Sequence, residues 1–251
     1  MNKIEVYYHL YIPFNDAAGF CSFWIDSILQ KMRRSGLSSA AKVSVCITMP
    51  MHVYHASGVP THTLINKEKA PFAATLLEYL TLRYPWVHVA GIRDSNEYNL
   101  YEGYTLDYMY QSCSPDAAVL YMHSKGLYSA CFNVSTWREV LEHFMLNEWR
   151  DCESRLDVCD VVTVKDDTIV NSGNVYWARG SYLKSLENPL DSHKYIPQDM
   201  SHLYPTGDRY RYAFERWITS KNPRVQSIHE IKVNPYDNYW FLERVIDDKH
   251  L

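Results

Sequence analysis

With 251 residues, the chain is long enough to form one large α/β domain or two small ones around a substantial core. Its formal net charge of -4, without any long run of Lys or Arg, argues against a nucleic-acid-binding surface. No run of about 18 apolar residues is present, which argues against a membrane-spanning segment.

Strands and helices are predicted to alternate through residues 1–150. The predicted strands are 4–12, 42–49, 86–92 and 117–122. Asp16 has the chemistry of a helix N-cap, and Pro71 suits the first position of a second helix. A third helix is predicted over 106–113, where apolar residues recur at helical spacing. Residues 51–70 are predicted to form a loop.

The second half of the chain carries fewer predicted elements. Thr136 and Glu139 have the spacing of a capping box and predict a helix that begins there and runs to Trp149. Further strands are predicted at 160–164, 175–178 and 226–231. A loop is predicted over 187–207 and a helix over 208–219.

This alternation is typical of βαβ units and predicts an α/β fold with a mainly parallel sheet flanked by helices. In such sheets, ligands bind beyond the carboxyl ends of the strands, where the strand order reverses. The residues that follow the strands are therefore the first candidates for a binding site. The sequence has no GxxxxGK[ST], GxGxxG or GxSxG motif, which excludes three common sites on this kind of sheet.

The segment 117–126, AAVLYMHSKG, is the most informative one. An apolar strand runs directly into four residues suited to ligand contact: His123, Ser124, Lys125 and Gly126. The first three offer hydrogen-bond donors, and the glycine permits close backbone approach, so the group can neutralise a diphosphate. The same residues would also form an ordinary turn at the end of a strand.

The order of several motifs resembles that of a known family. The YMHSKG strand is followed by Trp137 and Arg138, by NSGNVYWA at 171–178, and by Glu215 and Trp217 in a Glu-x-Trp pair. In this order and spacing, over roughly residues 85–220, the chain resembles glycosyltransferases of large chlorella viruses and some bacterial relatives.

The resemblance implies a GT-A-like fold, that of nucleotide-diphospho-sugar transferases, with a mainly parallel mixed central sheet flanked by helices. A single domain would span 1–251, with a nucleotide-binding half at about 1–126 and an acceptor and catalytic half at about 127–251. The implied reaction moves a sugar from a nucleoside diphosphate sugar, with a UDP-sugar as the expected donor. The acceptor would be a hydroxyl of a glycan or glycoprotein, and the expected outcome is inversion.

Six scattered cysteines without a CxxC pair are typical of reduced thiols in a cytosol-like compartment. The first 16 residues lack the order of charged, apolar and small residues that marks a signal peptide. A soluble cytoplasmic protein is therefore expected. The resemblance adds the expectation of a virus-encoded enzyme acting in host cytoplasm.

In metal-dependent GT-A enzymes, a DxD motif at the end of the fourth strand holds a divalent ion against the donor diphosphate. The corresponding triplet here is His123, Ser124 and Lys125, and it contains no carboxylate to hold such an ion. The Lys125 cation would itself stabilise the charge of the departing nucleotide. The hypothesis is a transferase that requires no metal cofactor, with at most weak stimulation by Mn²⁺ or Mg²⁺.

The resemblance also implies roles for residues of the second half. A turn of small residues, Ser172, Gly173 and Asn174, would let the backbone approach the donor sugar, with Asn174 bonding to sugar hydroxyls. An inverting transferase needs a general base for the acceptor hydroxyl. Glu215 is favoured for this role by its Glu-x-Trp pattern, and Asp208 is the second candidate.

The nucleotide is expected to contact the end of the first strand and the region after the third. These donor-binding candidates are Tyr11, Ile12, Asp94, Asn96, Glu102 and Thr105. Arg138, at a predicted helix start, would reach either the phosphates or the acceptor, or would face solvent. Acids suit ribose hydroxyls, although each of these residues would also fit an ordinary polar loop.

Two other classes of function fit parts of this pattern. A carbohydrate- or nucleotide-binding module without catalytic activity would use the same strand-end donors but would need no general base. A nucleotidyltransferase or phosphatase would use a similar sheet, but such enzymes usually need acidic metal ligands at strand ends. The fourth strand lacks those ligands.

Overall fold

A computed structural model describes residues 3–12, 18–49, 52–54, 60–65, 69–94, 102–124, 132–164, 174–191 and 209–228. The strands are β1 (Lys3–Tyr11), β2 (Ala41–Met49), β3 (His52–Tyr54), β4 (Pro60–Ile65), β5 (Val87–Asp94), β6 (Ala117–His123), β7 (Val161–Thr163), β8 (Tyr176–Arg179) and β9 (Val225–Ser227). The helices are α1 (Ala18–Arg34), α2 (Leu37–Ala40), α3 (Lys69–Arg83), α4 (Gly103–Ser112), α5 (Phe132–Glu142), α6 (Trp149–Arg155), α7 (Gly180–Ser185) and α8 (Arg209–Trp217).

Seven strands form one mixed sheet in the order β5-β2-β1-β6-β8-β7-β9. The first four of these are parallel, and β8 is antiparallel to both of its neighbours, β6 and β7. At the far edge, β9 pairs with β7 in parallel. The prediction of an α/β fold with a mainly parallel mixed sheet and flanking helices is therefore confirmed.

Both faces of the sheet are buried, because helices cover each of them. One core, here called the first face, contains Val6, Tyr8 and Leu10 of β1 together with apolar residues of α1, α3, α5 and α6. The other, the second face, contains Tyr7 of β1 and Tyr121 of β6 with residues of α4, α7 and α8. Burial on both faces explains why the central strands read as nearly unbroken apolar runs.

The helix predicted from Thr136 to Trp149 differs in the structure. It begins at Phe132, so the predicted capping box lies inside α5, and the regular helix stops at Glu142. A π-helical turn, His143–Asn147, then leads to α6. A side chain of another element stabilises this turn. Trp177 on β8 donates its Nε1–H to the carbonyl of Met145 at 3.0 Å. A distant strand thus stabilises an irregularity that local periodicity cannot reveal.

The segment 51–70, predicted as a loop, contains β3 and β4, which pair as an antiparallel hairpin separate from the main sheet. Its residues lack a period-two apolar pattern, so the pairing left little trace in the sequence. Most of the loop predicted over 187–207 lies outside the described residues. No described helix has the length and apolar character needed to cross a membrane.

Candidate functional site

The candidate site lies at the carboxyl ends of β1 and β6, on the second face of the sheet. β1 is flanked by β2 on one side and by β6 on the other, so the order in which the strands follow one another along the sheet reverses at β1. In the strand register, His9 lies opposite His123 of β6 and opposite Cys46 of β2. These three side chains share the face that carries Tyr7 and Tyr121, because paired residues in neighbouring strands point to the same side.

His9 is a buried histidine held by two threonines. Its Nδ1 is 2.8 Å from Oγ1 of Thr105 on α4, and its Nε2 is 3.4 Å from Oγ1 of Thr48 on β2. Burial lowers the pKa of His9 to about 4, an effect that Glu102 partly opposes and His123 reinforces. His9 is therefore neutral at physiological pH and ties β1 to α4 and β2.

This burial makes the stability of the protein acid-sensitive. An unfolded histidine titrates near pH 6.5, so the unfolded chain binds more protons than the folded one between about pH 6.5 and 4. The contribution is complete above about pH 6.5 and is lost as the pH falls towards 4, by about 3 kcal/mol. Urea unfolding should therefore show a steeper loss between pH 7 and 4 in the wild type than in His9→Gln.

The control for this measurement is His88→Gln, which removes an exposed histidine of β5 and leaves the contacts of His9 intact. Parallel stability profiles for the wild type and His9→Gln would contradict the assignment of a neutral buried His9.

Glu102 joins three elements of the site. It is buried and immediately precedes α4. Its backbone carbonyl accepts the N–H groups of Thr105 and Leu106 at 2.9 and 3.0 Å and so starts the first turn of that helix. Its Oε2 accepts the hydroxyl of Tyr121 on β6 at 2.9 Å. The same oxygen accepts Nδ2 of Asn174, which leads into β8.

Asn174 is buried and has a left-handed backbone, with a φ of 55°. Asparagine is among the few non-glycine residues that adopt this conformation readily. Beside it, the ring of Tyr176 on β8 packs against that of Tyr121, with centroids 5.3 Å apart. One buried hydrogen-bonded unit is therefore formed by Asn174, Glu102 and Tyr121, and it lies next to His9 and His123.

Ser124 fastens the end of β6 to β1. Its backbone N–H donates to the carbonyl of His9 at 2.9 Å, and its Oγ accepts the N–H of Tyr11 at 2.7 Å. Tyr11 is exposed at the end of β1, whereas the side chain of Ile12 packs into the core of the first face. Of the predicted donor-binding residues at this strand end, Tyr11 therefore has an exposed ring, and Ser124 is hydrogen-bonded to backbone atoms of β1.

Arg138 lies away from this cluster. It is a buried residue of α5, a helix that packs on the first face, and its Nε is 3.1 Å from Oε1 of Glu142. Lys31 of α1 pairs with the same carboxylate. The structure thus places Arg138 in a charged group between two helices, and its predicted role toward phosphate or acceptor stays a prediction.

Glu215 is half-buried on α8, between Phe214 and Trp217 of the second-face core. The ring of Phe214 lies so close to Gly103 that a Cβ there would approach it to 2.4 Å. Because Gly103 follows Glu102, α8 packs beside the start of α4 and next to the buried cluster.

Several predicted site residues lie outside the described part of the chain. These are Asn96, Lys125, Ser172, Gly173 and Asp208, together with the side chain of Asp94, whose backbone ends β5. Among the described side chains, no three His, Cys, Asp or Glu residues lie where they could hold a metal ion. The proposed independence of metal stays a prediction.

The sequence predicted five described site residues that the structure brings together at the carboxyl ends of β1 and β6: Glu102, Thr105, His123, Ser124 and Asn174. The prediction overlooked His9, which lies inside a predicted strand. A signal was present, because polar residues occupy the ends of three buried strands: His9, Thr48 and His123. Such residues are unusual in an interior and call for partners.

The family described as a domain of unknown function, DUF8361, matches residues 88–239. This is more than half of the chain, and the chain belongs to that family. The matched region contains β6, α4 and α8, and therefore most of the cluster around Glu102. No curated protein matches the sequence.

Proposed function

We propose that this member of the DUF8361 family is a glycosyltransferase that moves a sugar from a nucleoside diphosphate donor, a UDP-sugar, to a hydroxyl of a glycan. The observation that carries the proposal is the buried polar cluster at the carboxyl ends of β1 and β6. Strand order reverses there, and open α/β sheets bind ligands at such a point.

Within the α/β class, the architecture supports a GT-A-like fold. Counted along the chain without the separate hairpin, the sheet order is three-two-one-four, followed by an antiparallel strand. The parallel part has the order of a nucleotide-binding half. The antiparallel β8 then brings residues of the second half, beginning with Asn174, to the same edge.

The chemistry would divide between the negatively charged diphosphate of the donor and the hydroxyl of the acceptor. His123 ends β6 and Lys125 follows it two positions later in the sequence, and the proposal assigns both to the diphosphate. A cation placed there stabilises the charge that develops on the leaving nucleotide, and this is the step that a bound ion would otherwise serve. Glu215, or Asp208, would remove the proton of the acceptor hydroxyl as the new glycosidic bond forms.

A non-catalytic sugar- or nucleotide-binding module is the second candidate. It is favoured by one feature of the cluster, since an oxygen of its buried carboxylate, on Glu102, is already occupied by internal donors. A binding module would retain its ligand affinity and show no turnover with any acceptor.

The test is a thermal-shift panel of UDP-, GDP- and dTDP-sugars, with and without EDTA. A ligand at 100 times its dissociation constant stabilises the folded state by about 2.7 kcal/mol, or roughly 5–10 °C for a chain of this size. We expect this shift with a UDP-sugar and no change on adding EDTA. Stabilisation by none of these sugars would contradict the proposal, and turnover that needs added Mn²⁺ would contradict independence of metal.

Replacing His123 and Lys125 with alanine should weaken donor affinity on the order of 100-fold, because two charge-assisted contacts to phosphate are lost. Titration calorimetry with the UDP-sugar gives this value directly. The matched control is Lys42→Ala, since Lys42 is exposed near the opposite end of β2 and should not affect affinity. Unchanged donor affinity in the double variant would refute the diphosphate site.

A further inference from the structure

We propose that Glu102 is a positioning residue that turns the amide of Asn174, so that Asn174 presents its carbonyl oxygen to a hydroxyl of the donor sugar. The ligand part of this inference rests on the proposed function. The orientation of the amide does not, because it follows from the contacts within the protein.

The chemistry of the two side chains fixes the direction of the amide. Oε2 of Glu102 accepts the hydroxyl of Tyr121 and also accepts Nδ2 of Asn174, so the group that Asn174 turns toward Glu102 is its NH₂. The carbonyl Oδ1 is then directed elsewhere, and it has no hydrogen-bond partner among the described residues. What Asn174 can offer to a ligand is therefore an acceptor.

Glu102 is itself firmly held, which is what a positioning role requires. Its Oε2 also accepts the buried hydroxyl of Tyr121, and its backbone carbonyl starts the first turn of α4. The next residue, Gly103, lies against the ring of Phe214. The carboxylate is thus fixed by a strand and by two helices, and it restricts the amide to one orientation.

The arrangement selects the chemical class of the group that binds there. A phosphate oxygen is an acceptor and would meet both the amide carbonyl and the negative charge of Glu102, which is unfavourable. A sugar hydroxyl can donate to Oδ1, and donation of the NH₂ group to a carboxylate polarises the amide and strengthens its carbonyl as an acceptor. The sugar thus belongs on the Asn174 side of the cluster, away from His123.

The left-handed backbone at Asn174 offers a matched variant. Asn174→Gly keeps that conformation accessible but removes the amide, so it separates the side chain from the backbone. At Glu102, the matched pair is Glu102→Ala, which removes the acceptor, and Glu102→Gln, whose amide oxygen can still accept from both Tyr121 and Asn174.

The experiment measures dissociation constants for UDP-glucose and for UDP by calorimetry. The preference of the wild type for UDP-glucose over UDP should fall about 10-fold in Glu102→Ala and Asn174→Gly, the effect of one good hydrogen bond. Affinity for UDP should stay unchanged in both, and Glu102→Gln should restore the preference. Equal loss of affinity for both probes, or a preference that survives in Asn174→Gly, would overturn the inference.

A second readout needs no ligand. In ¹⁵N NMR spectra, the side-chain NH₂ signals of Asn174, identified by their loss in Asn174→Gly, should be protected from exchange in the wild type and in Glu102→Gln. They should exchange rapidly in Glu102→Ala. Equal exchange in all three proteins would overturn the positioning role. If the wild type bound neither probe, the proposed UDP-sugar function would fail, and the NMR result alone would decide the role of Glu102.

Discussion

Glu215→Gln is expected to lower the rate of sugar transfer by about 10²–10⁴-fold while leaving the donor dissociation constant unchanged. Glutamine has nearly the same shape as glutamate but cannot take up the proton of the acceptor hydroxyl. Glu215 is a half-buried residue of α8, the helix whose Phe214 packs against Gly103 at the start of α4. Transfer rates at saturating donor and acceptor, together with donor binding by calorimetry, measure the two effects separately.

The matched control is Glu78→Gln, in which an exposed carboxylate of α3 is neutralised in the same way. Its transfer rate should equal that of the wild type. A wild-type rate in Glu215→Gln would exclude Glu215 as the base, and Asp208→Asn would then be the variant expected to abolish transfer. If neither substitution affected a measurable transfer rate, the general-base mechanism would be refuted.

Gly180→Ala should lower the free energy of unfolding by about 4 kcal/mol or more, at the upper end of what single substitutions do. Gly180 is the first residue of α7, and a Cβ there would lie 1.9 Å from the carbonyl oxygen of Ser114 and 3.2 Å from that of Ala117. Both contacts are to backbone, one just before β6 and one at its first residue, so no flexible side chain can move aside. The helix and the strand would have to separate.

Urea unfolding monitored by circular dichroism gives this free energy. Ser181→Ala is the control, because Ser181 is exposed at the next position of α7 and its replacement should change stability by less than about 0.5 kcal/mol. A Gly180→Ala protein as stable as the control would show that α7 and the start of β6 are not packed as closely as described.

The sheet was predictable from the sequence because burial on two faces leaves strong apolar runs, as in β1 and β6. The ends of those strands indicated His123 and Ser124 as site residues for the same reason. The direction of β8 was not predictable, since four residues carry no signal of their partner strand. The π-helical turn was hidden as well, because its stabilising donor, Trp177, is far away in sequence.

The partners within the site could be anticipated only in part. Polar residues before α4 and β8 marked Glu102 and Asn174 as candidates for ligand contact. Their hydrogen bond to each other depends on strand order, which brings β6 and β8 side by side and has no local sequence signature. The ribose contact predicted for Glu102 stays a prediction, and its proposed action through Asn174 became visible only with this hydrogen bond.

The buried unit of Asn174, Glu102 and Tyr121 has a consequence for the order of events during translation. As the ribosome releases the chain, β1, β2, β5 and β6 emerge first and can pair in parallel while Asn174 is still in the exit tunnel. Until β8 is added, the carboxylate of Glu102 lacks one of its two donors. If the proposed function holds, a nascent chain gains its sugar site only after its second half has been synthesised, even when its first four strands have already paired.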